Sequence, residues 1–380
     1  MPNTPRRPRP ADFQIAIICA LKIEVDAVEA VFDKDWEEDG KYGRQPGDSN
    51  EYSMGKIGKH NVVLAFMPNI GKEGASSTAS YLRMSFREIN LGLVVGICGA
   101  VPVTKENLEI ILGDIIISKV VVQYDHGTKY SDRHVMKDTL GTNLGKPPRL
   151  IRSFLQKLEG VKGTKRLVDS TVANLNSLVQ KEGFESSKYP GAHEDRLYEP
   201  TYRHKHHDSA AACDICNRCK SKDEKVCEKA LISSCAELGC NNGPLVHRAR
   251  VQKLAESSAY GPLIHFGCVA SGDSVMKSSH DRDHLALIPG VIAFEMESAG
   301  VWDALPTVVI KSVSDYADSH KNDHWQKFAA ASAAACMKAF VNEWRVVEET
   351  LQSETGDYVP LARASEVQSE SESDTSRICT

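Results

Sequence analysis

The chain of 380 residues has no apolar run of the roughly 20 residues that a membrane-spanning helix needs. It also lacks a basic excess. Its 46 Lys and Arg against 51 Asp and Glu leave a net charge of −5, so no global positive field favours nucleic acid. Met1 to Ala11 is rich in Pro and Arg without an apolar core, which is not the pattern of a secretory signal. Neither internal repeats nor an added signalling module can be read in it. These absences argue for a cytoplasmic protein that meets neither membrane nor nucleic acid. Cysteine, by contrast, is abundant: six of the 11 lie between Cys213 and Cys240. Reduced thiols are the cytosolic default, so disulfides are disfavoured there.

The length suits one large domain or two small ones. Phe13 to Ala20 reads as a buried strand, mostly apolar and rich in Ile. A helix follows from Lys22, with Val25, Val28 and Val31 on one face. Residues 34–58 show no clear period. Val62 to Phe66 is a second strand, and a helix runs from Gly71-Lys72-Glu73-Gly74 towards Ile89. Leu91 to Val95 is a third strand, leading into a glycine-rich turn, Gly96-Ile97-Cys98-Gly99-Ala100. A fourth starts at Leu112 and continues from Val120 to Tyr124. Residues 126–150 read as loop and residues 150–182 as helix.

Strands alternating with helices predict an α/β fold, a mixed central sheet flanked by helices. The strand pattern resumes at Ile264 after a hydrophilic, Cys/His-rich insert over about residues 183–250. A last helix is predicted from Asn322 to Leu351, with Phe328, Ala331, Ala335 and Ala339 on its apolar face. The expected domain therefore covers residues 13–352, between an N-terminal tail (1–12) and an acidic, disordered C-terminal tail (353–380).

The segments richest in chemistry close two apolar strands. Phe294-Glu295-Met296-Glu297-Ser298 follows Gly290 to Ala293, and Ser314-Asp315 follows Thr307 to Ile310. Carboxylates at apolar strand ends are costly without partners, and in open α/β sheets those ends form the ligand crevice. A Glu there can grip vicinal hydroxyls, and an Asp can donate a proton. A nucleoside offers both a ribose diol and a basic purine nitrogen.

Five motifs in order resemble the purine nucleoside phosphorylase/uridine phosphorylase superfamily. The nearest look is to methylthioadenosine/S-adenosylhomocysteine nucleosidases and to fungal phosphorylase-like proteins. Cys19-Ala20-Leu21-Lys22-Ile23-Glu24 resembles the nucleosidases' opening turn, which implies that Glu24 activates water. Taken alone, Glu24 is equally a solvated carboxylate in a first helical turn. Pro68-Asn69-Ile70-Gly71 implies that Ile70 lies beside the base. In the glycine-rich segment, Cys98 and Gly99 fall where backbone approaches sugar and base. Ala270-Ser271-Gly272-Asp273-Ser274-Val275-Met276 resembles the segment over the base, with Val275 where those nucleosidases place an aromatic ring. Glu295-Met296-Glu297 and Ser314-Asp315 imply Met296 packed on the ribose and Glu297 on its hydroxyls. They also imply Asp315 protonating purine N7, steadied by Ser314. Glu295 belongs to the same binding segment and reads as the cap of a strand-to-helix junction. Asp318 reads as a helix N-cap.

The phosphorylases carry an Arg and a Ser or Thr where this chain has Val94 and Ile97. Lys22 could attract phosphate, but Glu24 would repel it. The resemblance therefore implies a hydrolase that cleaves the N-glycosidic bond of a ribonucleoside, a purine nucleoside above all, as an expected homo-oligomer needing no cofactor for catalysis. The rivals are phosphorolysis and a non-catalytic nucleoside-sensing module.

In the insert, Cys213/Cys216 and Cys235/Cys240 are short-spaced pairs at a separation close to that of structural zinc sites. His204, His206 and His207 precede them. A polar loop of reduced thiols fits the spacing as well, and spacing leaves open which four residues would ligate. Any zinc here is expected to be structural and separable from catalysis.

Overall fold

The computed structural model describes residues 8–36, 44–131, 134–136, 144, 146–207, 213–221, 224–257, 260–321 and 323–345. Strands run over Ile15–Cys19 (β1), Lys34–Asp35 (β2), Tyr52–Ile57 (β3), His60–Phe66 (β4), Leu91–Ala100 (β5) and Ile115–Gln123 (β6). They continue with Gly127–Lys129 (β7), His134–Met136 (β8), Ile264–Ser271 (β9), Val291–Glu295 (β10) and Thr307–Asp315 (β11). Helices cover Lys22–Ala30 (α1), Lys72–Ser85 (α2), Arg149–Glu159 (α3), Val161–Leu178 (α4), Asp214–Arg218 (α5) and Glu228–Ile232 (α6). The remaining four are Ala249–Glu256 (α7), Ser279–Leu285 (α8), Ser298–Val301 (α9) and Gln326–Glu343 (α10). Residues 1–344 group as one unit; of the other, residues 345–380, only Arg345 is described. The expected acidic tail thus lies outside the described residues.

Nine strands form the main sheet, in the order β10-β9-β6-β11-β5-β1-β4-β3-β2. It is mixed: β1 runs parallel to β4 and β5, while β6 is antiparallel to β11. The sheet also closes on itself, because β10 pairs antiparallel with the far end of β5 through Ala293↔Ala100 and Phe294↔Gly99. The strands on either side of β5 explain why the glycine-rich segment is not a turn. Gly96 to Gly99 stay extended because β11 hydrogen-bonds along them on one side, with Lys311 opposite Gly96 and Asp315 opposite Gly99.

Several other expectations shift. Residues 34–58 hold the edge strand β2 and its neighbour β3, whose mixed polarity hides the period-2 signal. The expected loop over 126–150 holds the hairpin of β7 and β8. Pro10–Asp12, assigned to the tail, form a 3₁₀ turn. The last helix ends at Glu343, and Trp344 leaves helical geometry. This helix is buried along nearly its whole length, with an Ala-rich surface that lets it lie close to the sheet. Asp114 is wholly buried at the start of β6. It accepts from the Leu263 amide (3.0 Å), contacts His265 Nε2 (2.9 Å) and pairs with Arg250, fastening the α7 segment and β9 to β6.

Candidate active site

Sheet closure leaves a cavity of about 360 Å³ at the carboxyl ends of β1, β5, β10 and β11. Glu24, Ile70, Cys98, Gly99, Val275, Met276, Glu295, Met296, Glu297, Ser314 and Asp315 all line it. The structure thus brings together every catalytic and substrate-binding candidate read from the sequence.

Glu24 points back from the first turn of α1 rather than out to solvent. Its Oε2 accepts from the amides of Ala20 (3.0 Å) and Leu21 (2.9 Å), and its Oε1 from the amide of Ile97 (2.8 Å). The carboxylate is 2% exposed, which removes the solvated reading. Burial pushes its pKa up, and the Lys311 ammonium partly counters that. The close approach needs Gly96. A Cβ there would sit 1.9 Å from Glu24 Oε1, at a φ of +154° that side chains rarely adopt.

Glu297 is also buried and meets Lys311 Nζ at 3.1 Å through Oε2. Lys311 in turn lies 3.9 Å from Glu24 Oε1. Burial opposes the charge on Lys311, but Glu297, Glu24 and Glu295 outweigh it and raise its pKa. The sequence reading missed this lysine, which stands among apolar residues inside β11. Its signal was the cost of a charge in a buried strand, which demands acidic partners.

Glu295 behaves as a junction cap. Its Oε2 accepts from the amides of Glu297 and Ser298 (3.0 Å each), and its Oε1 from Ser298 Oγ (2.6 Å). Burial and then the Glu297 charge raise its pKa.

At the other side of the cavity, a register shift between Val313 and Asp315 inserts Ser314 into β11. Such bulges re-aim side chains. Asp315 Oδ2 accepts from Ser314 Oγ (2.9 Å) and pairs with Lys321 Nζ (2.9 Å), while Oδ1 accepts from the Ala317 amide (2.9 Å). Ala317 adopts φ +52°, a strained value for a residue with a side chain. Asp318 is no helix cap, since α10 starts at Gln326. It closes a local turn by accepting from the His320 amide (2.9 Å).

Aromatic walls come from Tyr124 and Phe294, packed edge to face with ring centres 6.4 Å apart. Val275, where no ring stands, and Ile70 also line the cavity and are 53% and 52% exposed. Tyr124 donates to the Ser274 carbonyl (2.9 Å), and burial lifts its pKa to about 12. Lys72 binds both oxygens of Asp125 (2.6 and 2.7 Å), and its amide donates to Asp273 (2.8 Å). This clasp joins the Ile70 loop to the segments after β6 and β9. Of the residues weighed as phosphate ligands, Val94 is buried in the sheet, Lys22 is exposed, and only Ile97 reaches the cavity.

The four candidate cysteines of the two short-spaced pairs do not converge on one site. Cys213 and Cys216 meet His206 and Cys227, whereas Cys235 and Cys240 meet His204 and His320. Sequence spacing paired near neighbours, but the insert folds so that each pair faces a different partner set.

A closed mixed sheet with this cavity at its strand ends defines a nucleoside phosphorylase-like α/β protein. The sequence model of the phosphorylase superfamily matches residues 14–169, the stretch that holds the first three of the motifs read from the sequence. The nucleotide-binding leucine-rich repeat (NLR)-like protein of Hyaloscypha variabilis is 30% identical over 342 residues, covering 88% of this chain. The chain spans only 30% of that relative's length. Among solved structures, futalosine hydrolase of Helicobacter pylori strain 26695 aligns with a TM-score of 0.50 at 15% identity, over 88% of this chain and 99% of that one. The 5′-methylthioadenosine/S-adenosylhomocysteine nucleosidase of Helicobacter pylori, bound to butyl-thio-DADMe-Immucillin-A, gives 0.50 at 16% identity, over 87% and 99%. At such identities the likeness is one of fold. No described helix is long and apolar enough to cross a membrane.

Proposed function

We propose that the chain hydrolyses the N-glycosidic bond of a ribonucleoside, a purine nucleoside in particular, to free base and ribose. The observation that carries this reading is Glu24, buried and held by three backbone amides in the same cavity as Glu297 and Asp315. A carboxylate with a raised pKa is suited to take a proton from water.

In the proposed reaction, water oxygen bonds to C1′ while the C1′–N9 bond breaks and its electron pair leaves with the purine. Glu24 takes the proton from water. Asp315 supplies a proton to N7, so the base departs neutral. The transition state has oxocarbenium character, which nearby carboxylates favour electrostatically. Glu297 holds the ribose hydroxyls, and its ion pair with Lys311 keeps the carboxylate aimed. Met296 packs on the sugar, and Ile70, Tyr124 and Phe294 enclose the base. For Asp315 to act, Lys321 must release one of its oxygens as substrate enters.

Phosphorolysis is disfavoured by charge. Lys311 is the buried cation nearest to Glu24, and Glu297 already holds it. A phosphate there would face two carboxylates. The test is incubation with inosine, adenosine and guanosine in phosphate-free buffer, followed by assay for free ribose. Base release that requires phosphate and yields ribose 1-phosphate would overturn hydrolysis. Binding with no release of base would favour the sensing module instead.

A further inference from the structure

The insert and the segment after β11 hold two groups of metal-ligating side chains outside the cavity. In the first, His204, Cys235, Cys240 and His320 bring one ligand atom each within 4.8 Å of one another. In the second, His206, Cys213, Cys216 and Cys227 do the same. We propose that each group binds one Zn²⁺, and that the first ion clamps the insert onto the segment that carries Asp315.

The distances match a tetrahedral ion. With Zn–S of about 2.3 Å and Zn–N of about 2.05 Å, a tetrahedral angle gives an S···N edge of about 3.6 Å. In the first group, His204 Nδ1 lies 3.6 Å from both Cys235 and Cys240 Sγ, and His320 Nδ1 lies 3.5 Å from Cys235 Sγ. In the second, His206 Nδ1 lies 3.5 Å from both Cys216 and Cys227 Sγ.

The imidazoles are oriented as ligands. His204 Nε2 faces the Ser233 carbonyl at 2.9 Å, and His320 Nε2 faces the Tyr202 carbonyl at 3.1 Å. A carbonyl only accepts, so each Nε2 carries the hydrogen and each Nδ1 offers a lone pair. Ligating histidines are held in this way. Thiol hydrogen bonds do not fill the same role. Cys235 Sγ faces two Nδ1 lone pairs but has one hydrogen to give. Disulfides would satisfy sulfurs in pairs and leave the histidines aimed at nothing. Thiolate and imidazole together select zinc over the harder divalent ions. Cys219, the remaining cysteine of the insert, points elsewhere and donates to the Glu224 carbonyl (3.4 Å).

His320 gives the first site its consequence. It belongs to the chain just past β11, not to the insert. Its amide binds Asp318, and its neighbour Lys321 pairs with Asp315. An ion at this site would hold that segment against the insert, so the insert is not separable from the active-site wall.

The experiment uses the full chain. Elemental analysis after dialysis against zinc-free buffer should give about two zinc per chain. Cys240→Ser and Cys213→Ser should each give about one. Replacing zinc by Co²⁺ in the unmutated protein should show tetrahedral cobalt with thiolate charge-transfer bands, a readout that needs no variant to fold. Hydrogen exchange over residues 316–321 should speed up in Cys240→Ser and stay near the parent rate in Cys213→Ser. Fewer than two zinc in the parent, disulfide-linked cysteines, or non-tetrahedral cobalt would overturn the two sites. Equal exchange in the two variants would overturn the clamp.

Discussion

Lys311 Nζ lies 3.1 Å from Glu297 Oε2 and 3.9 Å from Glu24 Oε1, so one buried ammonium joins the carboxylates assigned to the sugar and to water. Lys311→Met keeps the volume but strands two buried negative charges. Removing one partner of a buried pair costs about 3–5 kcal/mol. Urea unfolding at neutral pH should show a loss of that order. Glu24 already has a raised pKa, so the deficit should narrow as pH falls and its carboxyl protonates. A variant as stable as the parent at neutral pH would remove Lys311 as the balancing charge.

Gly96→Ala tests the close approach to Glu24. The added methyl must displace the carboxylate or the strand, because the two would lie 1.9 Å apart. Turnover should fall about as far as in Glu24→Gln, on the order of 10²–10⁴-fold for loss of a general base. Normal turnover in Gly96→Ala would mean that Glu24 need not sit where it does.

The pH profile of kcat/KM should rise on its acid side as Glu24 loses its proton. Burial raises the pKa of this group, with Lys311 countering. The base works deprotonated, so the half-maximal point should lie above the ordinary Glu value of about 4.3. A limb at or below that value would point to another group.

Asp315→Asn keeps the shape at the end of β11 and removes the carboxyl that would supply the proton. The kcat loss should again be about 10²–10⁴-fold, with substrate affinity changed much less. A near-normal kcat would take Asp315 out of the mechanism.

Glu297→Gln should weaken ribonucleosides by about 1.5–3 kcal/mol, the range for a hydrogen bond to a charged group. For 2′-deoxynucleosides, which already lack one hydroxyl, the loss should be small. Steady-state kinetics on matched pairs reads this directly, and equal losses for both sugars would count against contact with the diol.

The apolar runs of β1, β4, β5, β9, β10 and β11, and the motifs at their ends, were legible from the sequence because each is a local pattern. A short stretch of Ile and Val followed by a carboxylate carries its meaning within a few residues. That was enough for the fold class and for the carboxylates at the ends of β10 and β11, while Glu24 and the other candidates came from the resemblance of the ordered motifs. Tertiary structure decided what depends on distant partners. Lys311 looks like an interruption of a strand until Glu24 and Glu297 arrive from other elements. Tyr124 and Phe294 become cavity walls only once β10 closes onto β5. His320 joins Cys235 and Cys240 only through the path of the insert, which local spacing does not encode. Strand period is set by neighbours along the chain; closure, charge pairing and ligand convergence are set by which surfaces meet in space.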